Sequence, residues 1–160
     1  MKIIDFENKY KKDIAKLLVE EEKYIITIDK DNLDVLSPDF IDKYAANLID
    51  TVNNNEGKIF LIEEDSKIIG MIAGKIVKHS EKEKLKAKNV RIGEIDEIMI
   101  TKPYQRKGYG TILIHKIEAY FKKIGCDSVI LGVFAYNESA IAFYEKQGYH
   151  IRTTTKIKKI

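Results

Sequence analysis

The chain has a single cysteine, Cys126, among its 160 residues, so it cannot form an internal disulfide framework. No group of cysteine and histidine residues has the spacing of zinc ligands, and we expect no metal. No apolar run is long enough to span a membrane, and charged residues interrupt the stretch from Lys2 to Glu7, where a signal peptide would need an apolar run. These absences favour a protein of the reducing cytoplasm that has no membrane partner.

The formal net charge is only +3, and lysine and glutamate residues are mixed along most of the chain. A charge this weak does not predict nucleic acid as a partner. The sequence shows no internal repeat and no low-complexity linker, so we expect one domain over residues 1–160. Its 44% hydrophobic and 33% charged residues are typical of a globular domain with a substantial core.

One stretch, from Glu94 to Thr111, combines a strand, a loop and the start of a helix. Residues Glu94 to Ile100 are rich in isoleucine, which is typical of a strand, and Pro103 marks a turn after it. The loop that follows is basic and contains Gly108 and Gly110, which lack the Cβ atoms that would keep an anion from the backbone. Because the helix N-terminus adds free N–H groups and the positive end of a dipole, the stretch predicts a phosphate site.

Two other phosphate-binding motifs are excluded by their patterns. The dinucleotide-binding fingerprint requires a third glycine after Gly108 and Gly110, and this chain has Leu113 at that position. The Gly-Lys-Ser/Thr sequence of nucleotide triphosphatases is also missing from the chain. The loop must therefore belong to another class of phosphate site.

The remaining elements are predicted from apolar periodicity and turn residues. The first helix, capped by Asn8, has one apolar stripe, and its opposite face from Glu20 to Lys23 should be solvated. The order β-α-α-β-β-β-α-β-α-β predicts an α/β fold whose mixed sheet carries helices on both faces. Besides the central stretch, the predicted segments are the strand Lys2–Phe6, helices from Asn8 to about Tyr24 and from Ser37 to about Val52, the strands Lys58–Glu63, Lys67–Lys78 and Ser128–Phe134, a helix from Asn137 to Gly148, and a last strand Tyr149–Ile160.

Two blocks of the sequence resemble a known family, the GNAT N-acetyltransferases. Residues Gln105 to Gly110 are similar to that family's Gln/Arg-x-x-Gly-x-Gly/Ala loop. Residues Asn137 to Tyr149 resemble its second block, Asn-x-x-Ala-x-x-Phe-Tyr-x-x-x-Gly-Phe/Tyr. Each block lies on the element where the family has it, and the element order is similar to the GNAT fold. The resemblance covers about Ile59 to Tyr149, whereas the earlier residues match only in element order.

The resemblance implies acetyl-CoA as the acetyl donor. Its pyrophosphate would bind the loop amides, and its pantetheine arm would pair with the central strand like an added strand. Such pairing needs a central strand that splays from the next strand, Ser128 to Phe134, and leaves backbone groups unpaired. The implied cofactor-binding residues are Ile98, Met99, Ile100, Gln105, Arg106, Lys107, Gly108, Tyr109, Gly110, Thr111, Asn137 and Tyr144.

Acetyl transfer to an amine has two proton problems. An amine like that of lysine has a pKa near ~10.4, so a base must remove its proton at neutral pH. The leaving thiolate must be stabilised or protonated, and Tyr144 can serve as that acid because its phenol donates a hydrogen bond. A backbone N–H of Met99 or Ile100 would hold the oxyanion. No covalent enzyme intermediate is needed, so Cys126 is not required as a nucleophile.

Three carboxylates on the central strand are candidates for the base: Glu94, Asp96 and Glu97. Strict alternation places Glu94 and Asp96 on one face of the sheet and Glu97 on the other. A bulge, which is common in this strand of GNATs, would change that assignment. Each of the three could act through water, attract a cationic amine, or be an ordinary surface carboxylate, and the sequence leaves these alternatives open.

The sequence therefore predicts an N-acetyltransferase that moves an acetyl group from acetyl-CoA to a primary amine by direct transfer in a ternary complex. Acidic residues from Asp29 to Asp42, together with those on the central strand, favour a cationic acceptor, either a small amine or a protein amine. The alternative is a non-catalytic CoA-binding regulatory module on the same fold. The exposed last strand could also pair with a second copy in a homodimer.

Overall fold

The computed structural model describes residues 1–80, 83, 85, 88 and 90–160. Short 3₁₀ turns at Asn8–Tyr10 and Lys102–Tyr104 precede two of the helices. Within the described ranges, no helix has both the length and the hydrophobicity needed to cross a bilayer. The strands and helices are β1 (Lys2–Asp5), α1 (Lys11–Ile28), α2 (Phe40–Asn54), β2 (Lys58–Glu64), β3 (Lys67–Ile76), β4 (Ile92–Ile100), α3 (Tyr109–Lys123), β5 (Ser128–Leu131) and α4 (Glu138–Lys146).

The strands form one mixed sheet in the order β1-β2-β3-β4-β5. The first four strands are antiparallel neighbours, and β4 pairs with β5 in parallel. A parallel neighbour requires a crossover connection, and α3 supplies it. The predicted mixed sheet is thus confirmed, with β4 between an antiparallel and a parallel partner.

Helices cover both faces of the sheet, as predicted. The helices α1 and α2 pack on one face, where Ile14 contacts a core that includes Met71. The helix α3 packs on the other face, where the fully buried ring of Phe121 lies against Gly93, whose missing Cβ would come within 2.6 Å of it. Each buried large apolar side chain contributes about 1.5–3 kcal/mol, so both faces hold β4 firmly in place.

The strand β4 departs from regular pairing on both of its edges. Toward β3, Ala73 pairs with Glu97 and Gly74 with Ile95, so Asp96 is an extra residue and forms a β-bulge. Toward β5, pairing ends at Ile95 and Leu131. The structure therefore confirms both the bulge and the splay that the sequence suggested, and both occur at the same level of β4.

The predicted last strand is wrong. Residues Tyr149 to Ile160 form no strand, and every side chain after Tyr149 is exposed, including Ile151 at 74% and Ile157 at 57%. Isoleucine and threonine give this segment a high local preference for extended structure, but a strand also needs a neighbour in the sheet. The β5 ladder, only four residues long, pairs with β4 and leaves the segment beside solvent.

The prediction for the first helix is corrected in three respects. Its N-cap is Tyr10 and not Asn8, which lies in the preceding 3₁₀ turn. The helix α1 runs to Ile28, beyond the predicted end near Tyr24. Its predicted solvated face is also wrong, because the Glu21 Oε2 atom is buried and a Glu20 oxygen accepts a hydrogen bond from the Lys102 backbone N–H at 2.9 Å. The reason is helical periodicity: Glu21 follows the buried Leu17 and Leu18 at i+4 and i+3, on the same stripe.

Candidate active site

The loop between β4 and α3 has the geometry of an anion cradle. Arg106 and Gly108 both have positive φ angles, +61° and +86°. Gly108 is the N-cap of α3, so the first N–H groups of that helix have no acceptor within it. A Cβ built on Gly108 would meet no heavy atom within 4 Å, and the loop is therefore open in front. Open N–H groups, the helix dipole and the charges of Arg106 and Lys107 together suit a phosphate group.

Side-chain contacts fix the conformation of this loop. The Gln105 amide donates a hydrogen bond to the last carbonyl of β4 at 2.8 Å, which closes the turn. The Tyr109 hydroxyl donates to Glu64 at 2.8 Å, so that side chain points toward the end of β2. The Lys107 ammonium lies 5.1 Å from the centre of the Tyr104 ring, within reach of a cation–π interaction. The loop is therefore held from three sides.

The two glycines of the loop are needed for different structural reasons. Whereas Gly108 faces open space, a Cβ on Gly110 would come within 3.2 Å of the Phe143 ring. The neighbouring Thr111 hydroxyl accepts a hydrogen bond from the Gln147 amide at 3.3 Å. Gly110 and Thr111 thus pack the first turn of α3 against α4. Of the two glycines, only Gly108 is placed so that an anion could approach its backbone closely.

A cavity of about 150 Å³ lies where β4 and β5 separate, and we call it the splay cavity. Past Ile95, the β5-facing backbone groups of β4 have no strand partner among the described residues. Met99 and Ile100 continue β4 from the cavity toward the loop, and the side chain of Met99 is buried on the α1–α2 face. The walls of the splay cavity include Glu21, Asp96, Glu97, Ile98, Asn137 and Tyr144.

Asn137 and Tyr144 reach the splay cavity from the two ends of α4. The Asn137 side-chain oxygen accepts the Ala140 backbone N–H at 3.2 Å and the Ser139 hydroxyl at 3.0 Å, which confirms it as the helix N-cap. Burial raises the pKa of the Tyr144 hydroxyl above its ordinary range, and the charges of Glu21 and Glu97 raise it further. Tyr144 is therefore a protonated hydrogen-bond donor at neutral pH.

The bulge separates the three candidate carboxylates. Glu97 faces α1 and α2 and accepts a hydrogen bond from the Tyr44 hydroxyl. Asp96 forms an ion pair with Lys75, which also lies 3.3 Å from Glu94. Burial raises the pKa of Asp96, and the contact with Lys75 opposes that change. Glu94 is bound to Lys75 and is not among the residues that line the cavities described here.

A second cavity, of about 220 Å³, lies beside α2, and we call it the α2 cavity. Its walls are Tyr44, Asn47, Leu48, Thr51, Lys75, Asp96 and Glu97. Because Asp96 and Glu97 line both cavities, the bulge of β4 forms the boundary between them. A group bound in either cavity would meet the same carboxylates.

Besides Tyr44 of the α2 cavity, the sequence reasoning missed the site residue Glu21. It lines the splay cavity, and its pKa is raised well above the ordinary range by burial and by the neighbouring charge of Glu97. The signal was present, since a glutamate on the buried stripe of an amphipathic helix is unusual. Nothing in the sequence pairs it with Glu97, which lies on another element.

Two sets of contacts hold the segment that follows α1. The Tyr136 hydroxyl, after β5, donates to Asp31 at 3.0 Å, and the Lys30 ammonium lies 4.9 Å from the Tyr136 ring centre. The Asp29 carboxylate accepts backbone N–H groups of Asp31 at 2.8 Å and Asp34 at 3.1 Å. Asp29 therefore shapes its own loop. Among the described residues, no group of three or more histidine, cysteine, aspartate or glutamate side chains could hold a metal ion.

Two proteins of similar sequence are named N-acetyltransferases. An uncharacterised N-acetyltransferase of Methanocaldococcus jannaschii is 31% identical over 105 residues, which are 66% of this chain and 44% of that protein. An L-ornithine N5-acetyltransferase of Arabidopsis thaliana is 35% identical over 57 residues, 36% of this chain and 25% of that protein. This chain thus matches less than half the length of each of these relatives.

The fold of this chain is also found in solved crystal structures. A mutant of the BH1408 protein of Bacillus halodurans superposes with a TM-score of 0.88 over 100% of this chain and 99% of that one, at 15% identity. That likeness shows the fold alone. The family model described as the Acetyltransferase (GNAT) family matches residues 19–149, which include the second half of α1, the residues that line both cavities, and the loop. This chain therefore belongs to the GNAT acetyltransferase family.

Proposed function

We propose that this acetyltransferase moves an acetyl group from acetyl-CoA to a cationic primary amine by direct transfer in a ternary complex. One observation carries the proposal: the splay cavity brings Glu97, Asn137 and Tyr144 together beside the unpaired edge of β4. A base, a hydrogen-bond donor and an unpaired strand edge are the parts that such a transfer requires.

The donor fits along β4. The open N–H groups at Gly108 and the charges of Arg106 and Lys107 suit the pyrophosphate of acetyl-CoA. Toward β5, the segment from Ile98 through Met99 to Ile100 has no strand partner among the described residues, and this free edge suits the amide groups of the pantetheine arm. Because Asn137 uses its side-chain oxygen for the helix cap, its amide nitrogen is the atom left to face a ligand in the cavity.

Two residues of the splay cavity have different tasks in the transfer: Glu97 acts on the amine and Tyr144 on the leaving sulfur. The acceptor arrives as an ammonium ion, and Glu97 takes one proton from it. The amine nitrogen then attacks the thioester carbon, the carbon–sulfur bond breaks, and the second amine proton passes to the sulfur. Since the raised pKa of Tyr144 lies above that of a thiol, near ~8.5, full proton transfer from Tyr144 is uphill. Tyr144 therefore acts by donating a hydrogen bond to the leaving sulfur.

The acceptor is a cation on electrostatic grounds. Asp96 and Glu97 line both cavities, and burial raises both of their pKa values, so a bound positive charge is favoured there. The Arabidopsis relative is named for ornithine, which is a small amine of this kind. A polyamine, an aminoglycoside and a lysine or N-terminal amine of a protein all share this chemistry.

The test is a turnover screen. The purified chain is incubated with acetyl-CoA and a panel of amines, peptides and antibiotics, and the release of CoA thiol is measured. We expect release with cationic primary amines and not with neutral or acidic ones. If calorimetry shows acetyl-CoA binding but no amine releases the thiol, the chain is instead a non-catalytic CoA-binding module.

A further inference from the structure

We propose that Glu21 and Glu97 form a carboxyl pair that shares one proton. The Glu21 carboxyl group donates a hydrogen bond that positions Glu97 and keeps it ionised, as the base that accepts the amine's proton. The proposal rests on the proposed function. Glu97 faces both cavities and is the group that meets the acceptor. Glu21 lines only the splay cavity of the two and acts through Glu97, so it is a positioning residue.

The geometry brings three elements to one carboxylate. The helix α2 supplies the Tyr44 hydroxyl, which donates to Glu97 Oε1. The helix α1 supplies Glu21, which lines the splay cavity together with Glu97. The Glu21 Oε2 atom is buried and has no donor among the described residues. A buried carboxylate oxygen without a donor is costly, and a proton on Glu21 resolves this because the carboxyl group can then donate to Glu97.

The surrounding charges point the same way. The groups that face the pair are the Tyr44 and Tyr144 hydroxyls and the carboxylates of Glu22 and Asp96. None of these is a cation, and the nearby Lys75 ammonium is already bound to Asp96 and Glu94. Two ionised carboxylates would therefore lie together without compensation. One proton on the pair leaves a single negative charge, which matches the single positive charge of an ammonium group.

The proton has a defined place in the pair. Burial raises the pKa values of both glutamates, and the charge of Glu97 raises the pKa of Glu21 further. Hydrogen bonds from Tyr44 and Glu21 oppose the rise at Glu97. The proton therefore stays on Glu21, and Glu97 remains ionised and ready to accept the amine's proton. After transfer, Glu97 returns that proton to solvent through the cavity, and Glu21 keeps its own.

A set of three variants tests the role of Glu21 through the acid limb of the kcat/KM–pH profile, where activity falls as Glu97 becomes protonated. Glu21→Gln keeps a donor of the same shape, and we expect the limb to stay in place. Glu21→Leu removes the donor, so the pKa of Glu97 rises and the limb moves to higher pH by about one unit. The control Glu22→Gln removes a like charge beside Glu97 and should move the limb slightly to lower pH.

A second measurement does not need turnover. Infrared spectroscopy of the free protein at neutral pH should show a protonated carboxyl band that Glu21→Gln removes and Glu22→Gln keeps. An active enzyme without that band, or with identical profiles for Glu21→Leu and the wild type, overturns the pair. A protein that has the band but acetylates no amine overturns the proposed function and the catalytic use of the pair, while its shared proton stands. Calorimetry with acetyl-CoA verifies that each variant is folded.

Discussion

The region from β4 to α4 and the helical pair α1–α2 contribute to the candidate site by different means. The first region uses its backbone: a left-handed glycine at Gly108, a helix N-terminus, and a strand edge that has no partner past Ile95 in the described part of the chain. The helical pair uses side chains whose partners are far along the chain, as in the contact between Tyr44 and Glu97. Backbone devices suit a ligand of fixed structure, whereas a side-chain cluster can be adapted to different acceptors.

This difference predicts that substitutions will separate into two classes. Changes to the backbone devices should weaken donor binding and leave the pH profile in place. Changes to the side-chain cluster should alter turnover and the pH profile and leave donor binding intact. A single variant that changes both donor binding and the pH profile would contradict this division. So would a backbone variant that changes only the pH profile, or a side-chain variant that changes only donor binding.

Glu97→Gln should have the largest effect. The amide keeps the shape of the carboxylate but cannot take a proton, so kcat/KM should fall by about 10²- to 10⁴-fold, the usual contribution of a general base. Affinity for acetyl-CoA, measured by calorimetry, should not change. The matched control is Glu94→Gln, because Glu94 is bound to Lys75 and does not line either cavity. A larger loss from Glu94→Gln than from Glu97→Gln would contradict the assignment of Glu97 as the base and would favour Glu94.

Gly108→Val should weaken acetyl-CoA binding by about 10²-fold. A β-branched residue at a φ of +86° is strained by about 1–3 kcal/mol, and its side chain would fill the open front of the loop. Gly125→Val is a close control, since Gly125 has a φ of +83° and also faces open space, but lies at the other end of α3. We expect Gly125→Val to lower thermal stability and leave affinity unchanged. Equal loss of affinity in both variants would show that strain alone explains the effect.

The two regions also differ in how far sequence reasoning reached. The loop and the Asn137 helix were predictable because each signal lies within a few neighbouring residues: glycines, a cap, a proline. The position of the bulge at Asp96 could not be predicted, since register depends on the partner strand. The run of charged residues predicts a solvated face for Glu21, although its spacing from Leu18 puts it on the buried stripe.

The errors at the C-terminus have the same origin. Tyr149 to Ile160 has the composition of a strand, and the structure leaves it unpaired because pairing is a property of two segments. In the region from β4 to α4, local sequence signals such as a glycine or a helix cap therefore predicted the helices that begin or end at those residues. Contacts between distant residues, such as Tyr136 with Asp31, had no local signal.

Tyr144→Phe should lower kcat by about tenfold to a hundredfold, the cost of one hydrogen bond to a developing charge. The ring remains packed against Phe143 and Tyr149, so stability should be nearly unchanged. Acetyl-CoA affinity should also stay within about twofold, because the hydroxyl acts on the leaving sulfur and not on the bound donor. Tyr149→Phe, which removes the hydroxyl bonded to Glu118, is the control for loss of a neighbouring phenol. Unchanged turnover in Tyr144→Phe would exclude its role at the sulfur.

Tyr44→Phe should have the smallest effect at neutral pH and the most specific one. The ring stays stacked on Phe40, at 4.7 Å between centres, and only the hydrogen bond to Glu97 is lost. That bond lowers the pKa of Glu97, so its loss raises the pKa. Since Glu97 must be ionised to accept a proton, the acid limb of kcat/KM should move to higher pH by up to about one unit.

Above the acid limb, Tyr44→Phe should match the wild type, because Glu97 is ionised in both. The control is Tyr24→Phe, which removes the hydroxyl of a tyrosine that is 46% exposed on α1. A uniform loss at all pH values would mean that Tyr44 contacts the acceptor directly, and the α2 cavity that it lines would then be the entrance for the amine. A shift of the limb alone places Tyr44 behind Glu97, and the helical pair then acts on the chemistry only through that one carboxylate.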